Sequence, residues 1–391
     1  MDRQRPRRAG FTLIELLMVI VIIASLIAIL VPTVFAALRR AKEAQVSAEM
    51  SNLATALASF RNTYGDYPPS RILLCESGYA SLSAAYLSSP VGYAPTANAA
   101  TEAPFPTDNK CTDLTHQQLK DRSLLYLRKF WPRADFVTTP AAGGMFNDFD
   151  GDGLMNANPI VISGSECLAF FLGGIPIRNN GAISGLSGFS KSPKFPFVSP
   201  AIAQNRTAPN YEFNNGRLID QDGDHIPSYI DPVNATPGSR RAYAYFSSYG
   251  TNGYDPNDVN GYGHIDPLTT YEFEEDGTTY VERGFAVGFP VYDSTGTLAS
   301  LAVSPGPNPY TSGPPATGNV SWFNGNSFQI LAAGADGYWG LGGTYHANGG
   351  GAGRLPILAN AADPGNIHSD DGTGVRLREA DNLSNFGGRL D

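Results

Sequence analysis

Residues 10–15 read GFTLIE, and residues 16–31 continue as LLMVIVIIASLIAILV. At about 1.5 Å per helical residue, the stretch from Phe11 to Ala37 is long enough to cross a hydrocarbon core of about 30 Å. Glu15 is its one charged residue, and an ionised carboxylate there costs about 2–3 kcal/mol or more on insertion scales. Because such a residue is usually paired or functional, the sequence predicts a membrane helix with a functional carboxylate near its start.

The ten residues before this helix are basic, with four arginines and one aspartate, or +3 in all. A cut after Gly10 would leave a cationic amine on Phe11, and an identical helix alongside could present that amine to Glu15. In the alternative, the arginines hold the chain as an uncleaved signal anchor by the positive-inside rule, and Glu15 is incidental. The two interpretations differ in whether the leader is removed.

A short basic leader ending in Gly, followed by Phe-Thr-Leu-Ile-Glu and a long apolar helix, resembles the type IV pilin and type II secretion pseudopilin superfamily. The resemblance implies that a prepilin peptidase cuts after Gly10 and methylates Phe11. It also implies that Glu15 is the assembly carboxylate and that Pro32 accompanies helix melting on filament assembly. A simple membrane kink at Pro32 is the alternative, since proline removes a backbone donor.

The helix is expected to continue beyond the bilayer and to end near Tyr64, where Gly65 and a Pro68-Pro69 pair break the pattern. An apolar stripe on one face should dock on the rest of the chain, and it consists of Val46, Met50, Leu53, Leu57, Phe60 and Tyr64. Residues 61–68, RNTYGDYP, resemble the helix-exit segment of major pseudopilins. The predicted organisation is a leader (1–10), a long helix (11–64, transmembrane over about 11–37) and an extracytoplasmic head (65–391).

Two Asp-rich turns in the head offer carboxylates at alternate positions, which lets a tight loop aim them at one hard cation such as calcium. Both resemble the loops of thrombospondin type 3 repeats and EF-hands, although neither has the glutamate at position 12. Solvated acidic turns are the alternative. The expected ligands are Asp148, Asp150 and Asp152 in the first loop, and Asp220, Asp222, Asp224, Ser228 and Asp231 in the second.

Two further sets of residues are candidate calcium ligands through resemblance. The tail segments 334–337 and 380–386 resemble the calcium-binding tail of major pseudopilins, although about forty residues separate them. This likeness implies Asp336 and Asp381 as ligands. A third, dockerin-like loop would use Asp258, Asn260 and Asp266. Ordinary turn residues are the alternative in both cases.

The expected fold class is α+β and pilin-like: a long N-terminal helix, half transmembrane and half amphipathic, packed on a small antiparallel sheet with loop-rich insertions. Predicted strands lie at residues 159–163, 242–249, 280–289 and 328–332, and residues 140–270 are a candidate calcium-loop insertion. For the cysteines, either Cys75 pairs with Cys111, or these two and Cys167 are buried thiols.

Net charge and missing motifs argue against two classes of function, nucleic-acid binding and catalysis. The chain has net charge −9, so the part after the +3 leader carries −12, and no nucleic-acid partner is expected. Motifs for a serine hydrolase, zinc protease, thiol redox protein or P-loop nucleotide site are absent from the sequence, and no enzymatic activity is expected.

We expect a structural subunit of a type II secretion pseudopilus or related type IV filament with a calcium-stabilised head. The expected partners are copies of itself, other pilin-like subunits, prepilin peptidase, the inner-membrane assembly platform and membrane lipid. The subunit would sit in the inner membrane with its leader cytoplasmic, and then in a periplasmic or extracellular filament. The alternatives are a tip adhesin or cargo-recognition subunit, and a membrane-anchored calcium-binding protein that never polymerises.

Overall fold

A computed structural model describes most of the helix and much of the head. The described residues are 13–88, 114–234 apart from 142, 180, 203, 204 and 222, 241–260 apart from 251, 252 and 256, 271–275, 278–282, 307, 309–311, 322–335, 337, 339, 342–345, 347 and 379–390. The chain divides into two units, Met1–Gln45 and Val46–Asp391.

Helix α1 (Leu13–Tyr64) runs through Pro32 and ends at the residue that the sequence predicts. Pro32 cannot donate to the carbonyl of Ala28, while the Thr33 hydroxyl donates to the Leu30 carbonyl at 2.8 Å. The side chains of residues 13–42 are exposed, with Leu13 at 82% and Ile29 at 68%. α1 is the one described helix long and apolar enough to cross a membrane.

From Val46 onward, α1 is part of the core of the second unit. The predicted stripe is buried, with Val46, Leu53, Leu57 and Phe60 all at 0% exposure, and only Tyr64 is partly exposed. Each fully buried side chain of this kind contributes about 1.5–3 kcal/mol. The Phe60 ring packs edge-on against Phe130 and Phe171, with centroids 5.2 and 5.9 Å away. The expectation that this half of the helix docks on the head is confirmed.

The head adds four short helices and fourteen strands among the described residues. The helices are α2 (Ala84–Ser88), α3 (His116–Phe130), α4 (Gly164–Gly173) and α5 (Asn257–Asn260). The strands are β1 (Arg71–Leu74), β2 (Ile160–Ser163), β3 (Pro176–Asn179), β4 (Ala182–Leu186), β5 (Leu218–Ile219), β6 (Ser228–Tyr229), β7 (Ala244–Ser247), β8 (Tyr271–Glu275), β9 (Thr278–Glu282), β10 (Tyr310–Thr311), β11 (Phe328–Ala332), β12 (Gly343–Thr344), β13 (Leu383–Ser384) and β14 (Gly388–Arg389).

The largest described sheet has four antiparallel strands in the order β14-β13-β11-β7. Hairpin-like pairs accompany it, and the pairing of β10 with β12 is parallel. The predicted strands at 159–163, 242–249 and 328–332 correspond to β2, β7 and β11. The prediction for 280–289 overlaps the end of β9, and its remainder lies outside the described residues. The fold is therefore α+β, with a long N-terminal helix followed by small antiparallel sheets, and it is consistent with a pilin-like architecture.

Cys75 and Cys167 are free, buried thiols. The Cys75 thiol donates to the Gly78 carbonyl at 3.4 Å, and the Cys167 thiol donates to the Ile162 carbonyl at 3.4 Å. The pairing of Cys75 with Cys111 is therefore corrected: Cys75 packs as a small apolar residue with a weak donor. Cys111 lies outside the described residues.

Candidate metal centre

The first acidic loop, residues 148–153, is closed by its own carboxylates. Asp148 accepts the amide of Gly151 at 2.7 Å through Oδ1 and the amide of Gly153 at 3.1 Å through Oδ2. Asp152 accepts the amide of Leu154 at 2.6 Å. Gly151 and Gly153 have φ values of 72° and 79°, a left-handed conformation that glycine adopts without a steric penalty.

The second acidic loop, residues 220–225, repeats this hydrogen-bond pattern between β5 and β6. Asp220 accepts the amides three and five residues later, from Gly223 at 2.8 Å and from His225 at 3.1 Å. Asp224 accepts the amide of Ile226 at 2.8 Å. His225 stands where the first loop has Gly153, and its φ is 78°. A histidine there carries a conformational cost of about 1–2 kcal/mol that glycine avoids.

The two loops meet at Asp150. The His225 Nδ1 atom lies 3.1 Å from Asp150 Oδ2. Asp150, Asp152 and His225 form a group that could hold a metal ion, with one potential ligand atom from each lying within 4.8 Å of the others. His225 is not among the ligands predicted from the sequence, and this contact was missed. A signal for it was present, because aligning the two loops puts a histidine at a position that favours glycine.

Asp150 also belongs to a second, more deeply buried group. Glu76, Asp148 and Asp150 are at most 1% exposed, and their potential ligand atoms lie within 4.8 Å of one another. Glu76 follows β1 and accepts the amides of Phe149 at 2.8 Å and Asn156 at 2.7 Å. It lies far from both loops in sequence, so no local motif pointed to it.

Burial and mutual repulsion disfavour negative charge in this group. Burial raises the pKa of Glu76 to about 8. The hydrogen bond from the backbone amide of Asn156 opposes this rise, and the negative charge of Asp150 adds to it. Burial also raises the pKa of Asp148 to about 7, together with its hydrogen bond and charge interaction with Asp150. A divalent cation would neutralise these charges.

The donor set fits a hard cation. Four carboxylates and one imidazole converge on the region around Asp150. Calcium takes six to eight oxygen ligands in flexible geometry, whereas magnesium demands a near-ideal octahedron and keeps several waters. The described acidic groups could therefore hold a metal ion.

Neither group includes Asp220, Asp224 or Asp231, the other described carboxylates predicted as ligands of the second loop. Ser228 is a buried residue of β6. Asp231 closes a separate turn, since it accepts the amides of Val233 and Asn234, both at 2.8 Å. Asp222 lies outside the described residues.

Asp258 is the one predicted ligand of the third loop whose side chain is described. Asp258 is 0% exposed and forms an ion pair with Arg122 at 2.8 Å. Its other carboxylate oxygen accepts the Ser70 hydroxyl at 2.9 Å. Asp258 thus has a counter-ion in Arg122, and metal binding by Asp258 stays a prediction. Asn260 ends α5, its side chain is not among the described ones, and Asp266 lies outside the described residues.

The two halves of the predicted tail site come together in the head. Asp381 Oδ2 accepts the amide of Ala335 at 2.7 Å, which brings residues 379–381 to the 334–335 turn despite their separation in sequence. Asp336 lies outside the described residues. Calcium binding by Asp381 stays a prediction.

Gly10 and Phe11 also lie outside the described residues, while Glu15 and Pro32 lie in the exposed part of α1. A family model described as the prokaryotic N-terminal methylation motif matches residues 5–31, a range that includes Gly10, Phe11 and Glu15 and ends just before Pro32. Neither a search of curated proteins nor a search of solved structures gave a significant match.

The motif and the long apolar helix fit the pilin and pseudopilin class. They support a precursor that is anchored in the membrane and processed at its N-terminus. They imply prepilin peptidase and other pilin subunits as partners.

Proposed function

We propose that this protein is a structural subunit of a type II secretion pseudopilus or type IV pilus-like filament, cut by prepilin peptidase after Gly10 and polymerised through α1. The observation that carries the proposal is the match of the methylation motif to residues 5–31, a range that includes the start of an exposed apolar helix. The sequence around residues 61–68 favours the pseudopilin branch. The leader would be cytoplasmic and the head extracytoplasmic, in the periplasm or outside the cell after assembly.

Polymerisation would exchange one apolar environment for another. Before assembly, the exposed side chains of α1 between Leu13 and Leu38 face lipid, and in the filament they face the helices of neighbouring subunits. Glu15 would set the register by pairing with the methylated amine of a neighbour's Phe11. The inner-membrane assembly platform would supply the site where subunits leave the bilayer.

Calcium would stabilise the head at the metal centre around Asp150. Its ligands would come from Glu76, Asp148, Asp150 and Asp152, with His225 as a further donor. When bound, the ion supplies positive charge to buried carboxylates and ties two loops together. This is a structural role, since a subunit of this kind needs a rigid head rather than a reaction centre.

A minor or tip subunit that recognises an adhesive target or secreted cargo is the second candidate. Three large apolar side chains exposed by 43–67% flank the first acidic loop in sequence: Met145, Leu154 and Met155. Exposed apolar residues gathered in one region are typical of interaction surfaces. Immunogold labelling of filaments distinguishes the candidates, because a major subunit labels the whole length and a tip subunit labels the ends.

Intact-mass analysis of protein purified from native membranes, with N-terminal peptide mapping, tests the main proposal. We expect a mature chain that begins at Phe11 and carries one added methyl group. Gly10→Val should retain the leader, and Glu43→Gln, a substitution outside the matched motif, should be processed normally. A native chain that retains Arg7 and Arg8 would overturn the proposal and leave a membrane-anchored calcium-binding protein as the better account.

A further inference from the structure

A single carboxylate on α1 gathers an unusual number of donors from the head. Glu49 accepts the hydroxyls of Tyr229 and Tyr243, each at 2.6 Å, and the hydroxyl of Tyr211 at 3.3 Å. The Arg217 guanidinium pairs with both carboxylate oxygens, at 2.9 Å to Oε2 and through a further short bond to Oε1. Glu49 lies just past Val46, where the buried stripe of α1 begins.

This carboxylate is held in its charged form. Burial alone would raise the pKa of Glu49, but the hydrogen bonds from Arg217, Tyr229 and Tyr243 outweigh burial and lower the pKa below its ordinary value. The Glu49 and Arg217 side chains are each 12% exposed. A paired charge in such a setting has a strongly preferred geometry.

Two of the partners of Glu49, Arg217 and Tyr229, belong to the hairpin that carries the second acidic loop. Arg217 directly precedes β5, and Tyr229 lies in β6, so residues 220–225 connect the two positions. Arg217 also donates to the Ile230 carbonyl at 2.9 Å and stacks on the Tyr229 ring, with 4.4 Å from its guanidinium carbon to the ring centroid. The base of the hairpin is thus fixed to α1 as one unit.

The tip of the same hairpin contacts the metal centre. His225 lies 3.1 Å from Asp150, the residue shared by both groups of potential ligands. A continuous set of contacts therefore leads from the metal centre, through β5 and β6, to Glu49 on α1. Anything that fixes the tip of this two-stranded hairpin also restricts its base, because the strands pair Leu218 with Tyr229 and Ile219 with Ser228.

We propose that Glu49 couples cation binding in the acidic loops to the docked half of α1, residues 46–64. The inference rests on the proposed calcium site and adds a regulatory role to it: the calcium state of the head sets how firmly the assembly helix is held. By linkage, a cation that stabilises the hairpin stabilises the helix docked on it, and the docked helix raises the affinity for the cation by the same factor.

Hydrogen–deuterium exchange of the full chain in detergent micelles tests this coupling. Amide exchange across residues 46–60 is compared in CaCl2 and in EGTA, with calorimetric titration of CaCl2 on the same samples. We expect calcium to slow exchange of these amides by about tenfold, within the 5–150-fold range of typical couplings. Glu49→Gln should abolish most of this effect, and Glu212→Gln, which removes an exposed charge near the hairpin, should preserve it.

A matched tyrosine pair keeps the test informative if Glu49→Gln fails to fold. Tyr229→Phe and Tyr243→Phe each remove one hydroxyl bonded to Glu49 at 2.6 Å, but only Tyr229 lies in the hairpin. Tyr229→Phe should weaken the calcium effect on the helix about two- to threefold more than Tyr243→Phe, within the same range of couplings.

Three results would overturn the coupling. Calcium that binds without slowing exchange of residues 46–60 would refute it and leave the calcium site intact. Equal slowing in the wild type and Glu49→Gln, or equal effects of the two tyrosine variants, would assign the protection to another route. Absence of calcium binding in the titration would remove the proposed site itself along with the coupling.

Discussion

The substitution Asp150→Asn should change the stability of the head in opposite directions with and without calcium. Asp150 is fully buried and belongs to both groups of potential ligands. At an effective dielectric constant of about 20, two carboxylates 4.8 Å apart repel each other by about 3–4 kcal/mol. Above about pH 8, where Glu76 and Asp148 are ionised, neutralising Asp150 in the absence of a cation relieves this repulsion, so the variants are compared at that pH.

Part of that relief is offset by altered hydrogen bonds. Asp150 accepts the Asp152 amide and the Asn156 side-chain amide, both at 3.1 Å. Asparagine can keep the first bond but loses the charge that strengthens the second, at a cost of about 1–2 kcal/mol. The metal-free variant should therefore be about 1–2 kcal/mol more stable than the wild type, or about 2–4 °C higher in Tm.

With calcium present the sign reverses. A ligand at 100 times its Kd stabilises the folded state by about 2.7 kcal/mol, and loss of the shared carboxylate removes most of this contribution. Thermal unfolding of the full chain in micelles, followed by tryptophan fluorescence, should show Asp150→Asn above the wild type in EGTA and below it in CaCl2. Asp121→Asn, at an exposed position on α3, should match the wild type within about 0.5 kcal/mol in both buffers. A similar loss of stability in both buffers would refute the reasoning and make Asp150 a purely structural hydrogen-bond acceptor.

Three further predictions concern the head. Because the folded-state pKa of Glu49 is lowered, the contribution of Glu49 to stability is present above about pH 5 and is lost as the pH falls through the folded-state pKa. Glu49→Gln should therefore flatten the acidic part of a curve of unfolding free energy against pH, and an unchanged slope would contradict this prediction. Arg122→Met should cost about 3–5 kcal/mol in chemical denaturation, because it leaves Asp258 buried without its counter-ion, and adding Asp258→Asn should recover much of the loss; a larger loss in the double variant would count against the ion pair. Gly151→Ala should destabilise the head by at least about 1–2 kcal/mol more than Gly153→Ala. Both positions have positive φ, but only at Gly151 would a Cβ overlap the carbonyl oxygen at the start of β3, and equal losses of Tm would contradict this prediction.

The sequence predicts what depends on local pattern. The apolar spacing of α1 identified its buried stripe, and the Gly and Pro residues after Tyr64 located its end. Helix α4 was missed because all ten of its residues are buried, so no polar face marks a helical period in a short apolar run. Helix α3 was also missed, although Thr115 and Gln118 form the capping box that its sequence permits.

In the candidate metal centre too, the residues of a local motif could be predicted from the sequence and those brought in by tertiary contacts could not. Asp148, Asp150 and Asp152 were predicted because alternate carboxylates in a Gly-rich turn form a local motif. Glu76 was missed because tertiary contacts alone bring it beside that turn. The ion pair of Asp258 with Arg122 was missed because Arg122 is distant in sequence and a spacing pattern cannot reveal the pair.

The different burial of the two acidic loops has a consequence for the response to ordinary salt. Asp220 and Asp224 in the second loop are only half-buried, so mobile sodium ions can screen their charges at physiological ionic strength. Asp148 and Asp150 in the first loop are closed to water, and an ion atmosphere that stays outside the protein screens them poorly. Raising the sodium chloride concentration should therefore weaken the repulsion between carboxylates in the second loop but not in the first. Bulk salt cannot replace an ion that enters the site.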